Sequence, residues 1–151
     1  MTDKKIDCYI LPSSPLPMIL PADCIAEVVV KPTIETLRQA AARWMKGYAD
    51  WQNQRLPVMQ YGALLNNDFD DKADGEVHLV VLNAIPGAAR KVYTALLCHG
   101  DIAKVSIDDS IESIEIPEGI DKRYIDAVVK FDNKDFVVPK LSSLAIAFAY
   151  I

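Results

Sequence analysis

The residues with the clearest catalytic potential are Cys98 and His99, which are adjacent in the sequence. A thiol becomes a strong nucleophile when a neighbouring imidazole takes its proton. However, they lie at the end of a predicted β-strand, 92–98, and consecutive side chains of a strand point to opposite faces. They cannot then hydrogen-bond to each other as nucleophile and base. The other histidine, His78, also lies in a predicted strand, so neither histidine predicts an enzyme.

The acidic stretch 70–75 resembles the start of a calcium-binding loop. Lys72 occupies a ligand position, and Val81 stands where the bidentate glutamate of such a loop is required. The stretch therefore predicts a solvated loop rather than a calcium site. With only six glycines, the chain also has no glycine-rich phosphate-binding loop. We expect no catalytic residues, no metal and no cofactor.

The composition is that of a soluble globular protein that does not bind nucleic acid. Of the 151 residues, 51% are hydrophobic and 25% are charged, and the net charge is −5. This charge disfavours nucleic acid and anionic membrane surfaces as partners. Cys8, Cys24 and Cys98 are odd in number and widely spaced, which argues against a disulfide framework and against a zinc site. No apolar run is long enough to span a membrane, and we expect a cytoplasmic protein.

Strand patterns dominate the chain, with two helical exceptions. Apolar residues at helical spacing predict an amphipathic helix at about 33–46, with Thr33 as its N-cap and Gly47 just past its end. The apolar segment 141–150 predicts a C-terminal helix, which either packs within the fold or contacts a partner, including a second copy of the chain. The predicted strands are 6–11, 18–20, 25–30, 48–51, 56–61, 77–82, 92–98, 102–107, 111–116, 124–131 and 136–138.

An internal similarity appears when the sequence is shifted by 80 residues, which places residues 43–65 on residues 123–145 without a gap. Aromatic residues then align with aromatic residues, and Asn53 aligns with Asn133 in the predicted turns. Because the apolar phase of the strands is kept, the shift predicts two similar hairpins, each followed by a short helix. Chance similarity between strand–turn–strand patterns is the alternative. We expect one domain, 1–151, of two similar halves with a seam near 67–75.

Several short motifs are similar to those of the CheW-like domain family. Together they cover most of the chain. In the first half the motifs are Leu20-Pro21-Ala22-Asp23-Cys24-Ile25-Ala26-Glu27-Val28-Val29, Trp44, Gly47, Arg55-Leu56-Pro57-Val58 and Leu64-Leu65. In the second half they are residues 77–82, 102–105 and 124–144. The resemblance implies a mainly β fold of two intertwined five-stranded SH3-like β-barrels. It also implies a non-catalytic adaptor that couples the cytoplasmic domain of chemoreceptors to a CheA-type histidine kinase.

The resemblance also suggests where partners bind. From the residues alone, Ile25 is better explained as a core residue, Glu27 as a surface charge of a strand and Gly47 as a helix C-cap. The family pattern has Arg-Gly where this chain has Gln52-Asn53, so Glu27 cannot pair with that arginine, and a hydrogen bond from Gln52 is the expected replacement. The positions implied for a receptor and kinase groove are Ala22, Ile25, Glu27, Gly47, Gln52 and Asn53.

Two further interpretations remain open, one a subtype of the same family and the other a different class of function. Trp51, in a hairpin position that is usually aliphatic, resembles the divergent CheW-like proteins of type IV pilus systems, of the ChpC and PilI kinds, and this would imply a role in twitching motility. A different class of function is a small-ligand-binding β-barrel whose pocket is lined by Trp44, Trp51 and Tyr61. The adaptor predicts filled barrels and an apolar surface groove, whereas the ligand-binding barrel predicts an aromatic cavity.

Overall fold

A computed structural model describes residues 5–13, 16–36, 44–66, 76–83, 93–108 and 111–144. Within them the chain is built almost entirely of β-strands. The strands are β1 Ile6–Leu11, β2 Met18–Pro21, β3 Ile25–Val30, β4 Ile34–Thr36, β5 Met45–Trp51, β6 Gln54–Met59, β7 Val77–Leu82, β8 Thr94–His99, β9 Ala103–Ile107, β10 Glu112–Ile114, β11 Ile125–Phe131 and β12 Lys134–Pro139. The α-helical segments are α1 Tyr61–Leu65 and residues 141–144, and two 3₁₀ turns lie at Ala22–Cys24 and Lys122–Tyr124.

The strands form two sheets that share one plan. The central sheet, of β3 to β8, has the order β3-β7-β8-β6-β5-β4, and the terminal sheet, of β1, β2 and β9 to β12, has the order β9-β1-β2-β12-β11-β10. Each sheet has one parallel pair, and its other pairs are antiparallel. In the central sheet the parallel pair is β6 with β8, where Val58 lies opposite Ala95. In the terminal sheet it is β12 with β2, where Val137 lies opposite Met18. The mainly β fold of two barrel-like units is confirmed, and each sheet has six strands within the described residues rather than the five expected.

The two units are intertwined because the terminal sheet takes strands from both ends of the chain. Strands β1 and β2 precede the whole central sheet, whereas β9 to β12 follow it. The chain leaves the terminal sheet at the Ala22–Cys24 turn and returns to it after His99. It does not change sheet between α1 and β7. The predicted seam near 67–75 lies outside the described residues, between elements of the same unit.

The 80-residue repeat is visible as two matching hairpins. β5 and β6 span Met45–Trp51 and Gln54–Met59, and β11 and β12 span Ile125–Phe131 and Lys134–Pro139. Both hairpins have a register shift near their start. A backbone hydrogen bond closes the base of each, from Gln60 N to Trp44 O (2.8 Å) and from Lys140 N to Tyr124 O (2.9 Å). The predicted pair of hairpins with following helices is confirmed for the described residues.

The prediction of a helix at about 33–46 is wrong at both ends of that range. Residues Ile34–Thr36 form β4, which pairs with β5, and β5 already begins at Met45. Ile34 and Thr36 are β-branched and suit a strand, and pairing with β5 outweighs the local helical spacing of the apolar residues. Residues 37–43 lie outside the described residues. Of the predicted C-terminal helix, residues 141–144 are helical and the remainder is likewise outside them.

The main core lies between the two sheets and takes residues from both. Leu11 and Met18 of the terminal sheet pack with Val80 and Leu96 of the central sheet, all at most 1% exposed. Two smaller clusters lie apart from it, one around Leu56 and Val58 in the central unit and one around Ile19 and Phe136 in the terminal unit. Because both sheets bury apolar surface in one shared core, the two units are expected to fold together.

Candidate functional site

Glu27 and Trp51 meet although their strands are not neighbours in the central sheet. β3 lies at one edge of the sheet, and β5 lies next to the other edge. The sheet curls so that the indole Nε1 of Trp51 approaches the Glu27 Oε1 at 3.4 Å, a long and weak hydrogen bond. The predicted replacement partner, Gln52, is not the donor that Glu27 uses among the described residues. Trp51 takes that role, one residue earlier in the chain.

The Trp51 side chain has a second aromatic neighbour that the sequence analysis did not identify. Tyr93, just before β8, places its ring centroid 5.1 Å from that of Trp51, with the two planes at 55°. Both rings are half-buried and pack on the smaller central cluster. Tyr93 is distant in sequence from both Glu27 and Trp51, so no spacing pattern could have predicted the contact.

Gln52 and Asn53 form the tip of the β5–β6 hairpin and are exposed to solvent. Their φ angles are 45° and 60°, so both residues adopt the left-handed conformation that a two-residue hairpin turn requires. Asn53 is suited to this conformation, as the sequence indicated. These two predicted site residues directly follow Trp51, the residue whose indole contacts Glu27.

Ala22 and Ile25 lie at the start of the same edge strand. Ala22 begins the 3₁₀ turn that leads into β3, and Ile25 is half-buried against the main core. The backbone is irregular here, because the register with β7 shifts between Ile25 and Glu27. β3 carries exposed Ala26, Glu27 and Val30, the last with 55% of its surface accessible. This edge presents exposed apolar residues together with two carboxylates, Glu27 in the strand and Asp23 in the turn before it.

Gly47 is not a helix cap, because it lies inside β5. It is buried, it pairs with Val58 and Thr36, and its φ of 151° falls at the register shift near the start of the strand. A side chain at this φ would be strained, so the glycine has a backbone role. Gly47 lies at the base of the hairpin, and Gln52 and Asn53 lie at its tip. The structure does not bring Gly47 into contact with the Glu27 carboxylate.

Beside this region lies an ion pair that the sequence analysis did not predict. Arg55 of β6 donates to the Glu35 carboxylate of β4 at 3.1 Å, and its guanidinium carbon lies 4.4 Å from the ring centroid of Tyr48. The proximity of Glu35 and Tyr48 could have been predicted from a cross-strand pattern, because the two residues lie opposite each other in the register of β4 and β5. The existence of β4 itself had to be known first.

The aromatic residues proposed to line a ligand pocket do not converge. Tyr61 is 1% exposed in the main core, and its hydroxyl donates to Tyr124 O at 2.6 Å. Burial raises the pKa of this phenol, and Asp126 adds to the shift. Trp44 also packs on the main core, whereas Trp51 belongs to the smaller central cluster. A depression lined by residues 50–55 of the hairpin alone is an open surface and not an enclosed aromatic cavity.

The cysteines have the character of structural residues. Cys98 is fully buried in the main core and lies opposite His78 in the strand register. Burial raises the pKa of Cys8 and also that of Cys24, so these thiols are held in their unreactive neutral form. Within the described residues, no group of three potential metal ligands occurs, and no helix is long and apolar enough to cross a membrane.

Comparisons with known proteins agree with this architecture. The model of the family described as "CheW-like domain" matches residues 15–147. The crystal structure of the scaffolding protein TtCheW from Thermoanaerobacter tengcongensis superposes with a TM-score of 0.73 at 15% sequence identity, and the alignment covers 91% of this chain and 86% of that chain. A search of curated proteins finds no match. At this identity the structural neighbour shows a shared fold, whereas the family match rests on the sequence.

Proposed function

The chain belongs to the family of CheW-like domains, and on that premise we propose that it is the adaptor that couples the cytoplasmic domain of a chemoreceptor to a CheA-type histidine kinase. Members of the family are non-catalytic scaffold adaptors, and the chain is not an enzyme. The observation that supports the coupling role most strongly is the extent of the family match, residues 15–147, which includes every strand of both units except β1 and all six groove positions.

The proposed groove contacts centre on the edge strand β3 and the adjacent hairpin tip. Ala22, Ile25 and Glu27 belong to the turn and strand of this edge, Gln52 and Asn53 follow Trp51, which contacts Glu27, and Gly47 lies within β5. An edge strand with accessible apolar side chains is a natural contact surface for another protein. We place the adaptor in the cytoplasm, where receptor tips and kinase are found, and Trp51 supports assignment to a type IV pilus system.

The test is a binding assay with defined partners from the source organism. The immobilised chain is incubated with a purified CheA-type kinase or with a purified receptor signalling fragment, and retention of each is measured. The wild type is expected to retain both. Glu27→Lys, which reverses the exposed charge at the centre of β3, is expected to lose the receptor fragment.

The matched control is Glu112→Lys, the same charge reversal on β10, an exposed edge strand of the other sheet. It should retain both partners, and circular dichroism should show that each variant is folded. Two results would contradict the proposal. One is failure of the wild type to bind either partner, and the other is equal loss of the receptor fragment in the two variants.

A further inference from the structure

Arg55, Tyr48 and Glu35 form a complete cation-binding group within the chain. The guanidinium lies over the Tyr48 ring at 4.4 Å from its centroid and bonds to the Glu35 carboxylate at 3.1 Å. The ring face supplies its negative quadrupole, and the carboxylate supplies the counter-charge and hydrogen-bond acceptors. Tyr48 and Arg55 alternate along β5 and β6 with Ala49, Leu56 and Trp51, so this group lies on the opposite face of the sheet from Trp51. The group shows that the protein holds a guanidinium with aromatic and acidic side chains.

Glu27, Trp51 and Tyr93 repeat this chemistry without the cation. The carboxylate of Glu27 lies 3.4 Å from the indole nitrogen of Trp51, and the Tyr93 ring lies 5.1 Å from the Trp51 ring. Glu27 is exposed and both rings are only half-buried, so the group is open to solvent. Among the described residues, no lysine or arginine forms an ion pair with Glu27. The one long hydrogen bond from Trp51 leaves most acceptor positions of the carboxylate available.

We propose that Glu27, Trp51 and Tyr93 form a receptor site for an arginine side chain that is supplied by the partner protein. Arginine fits better than lysine because its planar guanidinium can stack on an aromatic ring while it donates two parallel hydrogen bonds to one carboxylate. Trp gives the strongest cation–π attraction of the aromatic side chains, which exceeds that of the Tyr48 ring in the occupied group.

The surroundings of the site favour an arginine flanked by apolar residues. Val29, two residues after Glu27 and therefore on the same face of β3, packs on the smaller central cluster together with Trp51 and Tyr93. The chain as a whole carries a net charge of −5, which attracts a basic partner. This inference extends the proposed function, since it specifies the chemistry that the receptor fragment would present to the β3 edge.

The test uses blocked arginine, so that it does not depend on the identity of the partner. N-acetyl-arginine amide is titrated into the ¹⁵N-labelled chain at constant ionic strength, and the indole N–H signal of Trp51 is followed by NMR. The signal is distinguished from that of Trp44 by its absence in Trp51→Phe. A saturable shift is expected. N-acetyl-citrulline amide, which has the same shape without the charge, should give no saturable shift.

Variants separate the site from nonspecific attraction. Glu27→Gln keeps the shape and removes the charge, and it should weaken binding by about five-fold, the size expected for loss of one exposed ion pair. Tyr93→Leu should also weaken binding, whereas Glu112→Gln, on the other sheet, should bind blocked arginine like the wild type. Equal responses to arginine and citrulline, or unchanged binding in Glu27→Gln, would overturn the inference. Retention of the receptor fragment in the assay above would still support the adaptor function in that case.

Discussion

The β5–β6 and β11–β12 hairpins have the same backbone design but carry different surfaces. Their turn residues, Gln52-Asn53 and Asp132-Asn133, have φ angles of 45° and 60° in one hairpin and 52° and 60° in the other. Each hairpin starts with a register shift and makes one parallel contact beyond its second strand. The repeat therefore preserves the features that direct the chain and not the side chains that face solvent.

The residue before each turn shows how the surfaces diverge. Trp51 lies against Glu27 and Tyr93, whereas its counterpart Phe131 lies 6.3 Å from Phe136, between ring centroids, in a wholly apolar cluster. Phenylalanine has no N–H to donate, so Phe131 cannot make a hydrogen bond like that of Trp51 to Glu27. The same position in the fold thus closes a small core in the terminal unit and forms a polar contact site in the central unit.

The largest expected difference between the hairpins lies in the helices that follow them. Tyr61 is 1% exposed and its hydroxyl joins the central unit to Tyr124 O, whereas the counterpart Leu141 is half-buried. Tyr61→Leu should lower the free energy of unfolding by about 2–4 kcal/mol through lost packing and the lost hydrogen bond. Urea unfolding followed by circular dichroism measures this change.

Two control variants separate the hydrogen-bond and packing contributions to the free-energy change in Tyr61→Leu. Tyr61→Phe removes only the hydroxyl and should cost about 1 kcal/mol. Leu141→Ala should cost less than Tyr61→Leu, because its side chain is already partly in water. If Tyr61→Leu cost no more than Leu141→Ala, the hydrogen bond between the units would not be a significant stabilising contact.

A smaller difference is expected at the register shifts. Gly47 has a φ of 151°, and its counterpart is Ala127. Gly47→Ala should lower the free energy of unfolding by about 1–3 kcal/mol, because alanine rarely adopts this φ. The reverse change, Ala127→Gly, should cost only about 0.5–1 kcal/mol of backbone entropy in a strand. Equal costs in thermal unfolding would show that the two register shifts have the same backbone requirement.

The smallest expected difference lies in the turns, which should behave alike. Asn53→Ala and Asn133→Ala each place alanine at a φ of 60°, and each should cost about 1 kcal/mol. Asn53→Gly and Asn133→Gly should have little effect or a slight stabilising one, since glycine adopts positive φ without strain. Unfolding midpoints of the four variants provide the test. A clear difference between the two alanine variants would indicate that one turn makes contacts beyond its own hairpin.

Local pattern predicted individual strands well and the contacts of the site only partly. β3 and β7 have the predicted bounds, and the turn at Gln52 and Asn53 was also identified. Glu27 was selected, but with Gln52 rather than Trp51 as its partner, because the curl of the sheet decides which residue reaches it. Tyr93 was missed entirely, since the contact joins residues far apart in the chain.

The sequence by itself determined the β-rich character, the 80-residue repeat and the family, because these depend on side-chain periodicity and on short motifs. Only the tertiary structure decided which strands pair. It placed β1 and β2 with β9 to β12, made a strand of Ile34–Thr36 where helical spacing predicted a helix, and put Gly47 inside β5. The reason is physical: side-chain periodicity reports which face of a segment is buried, whereas strand pairing depends on backbone groups that every residue shares.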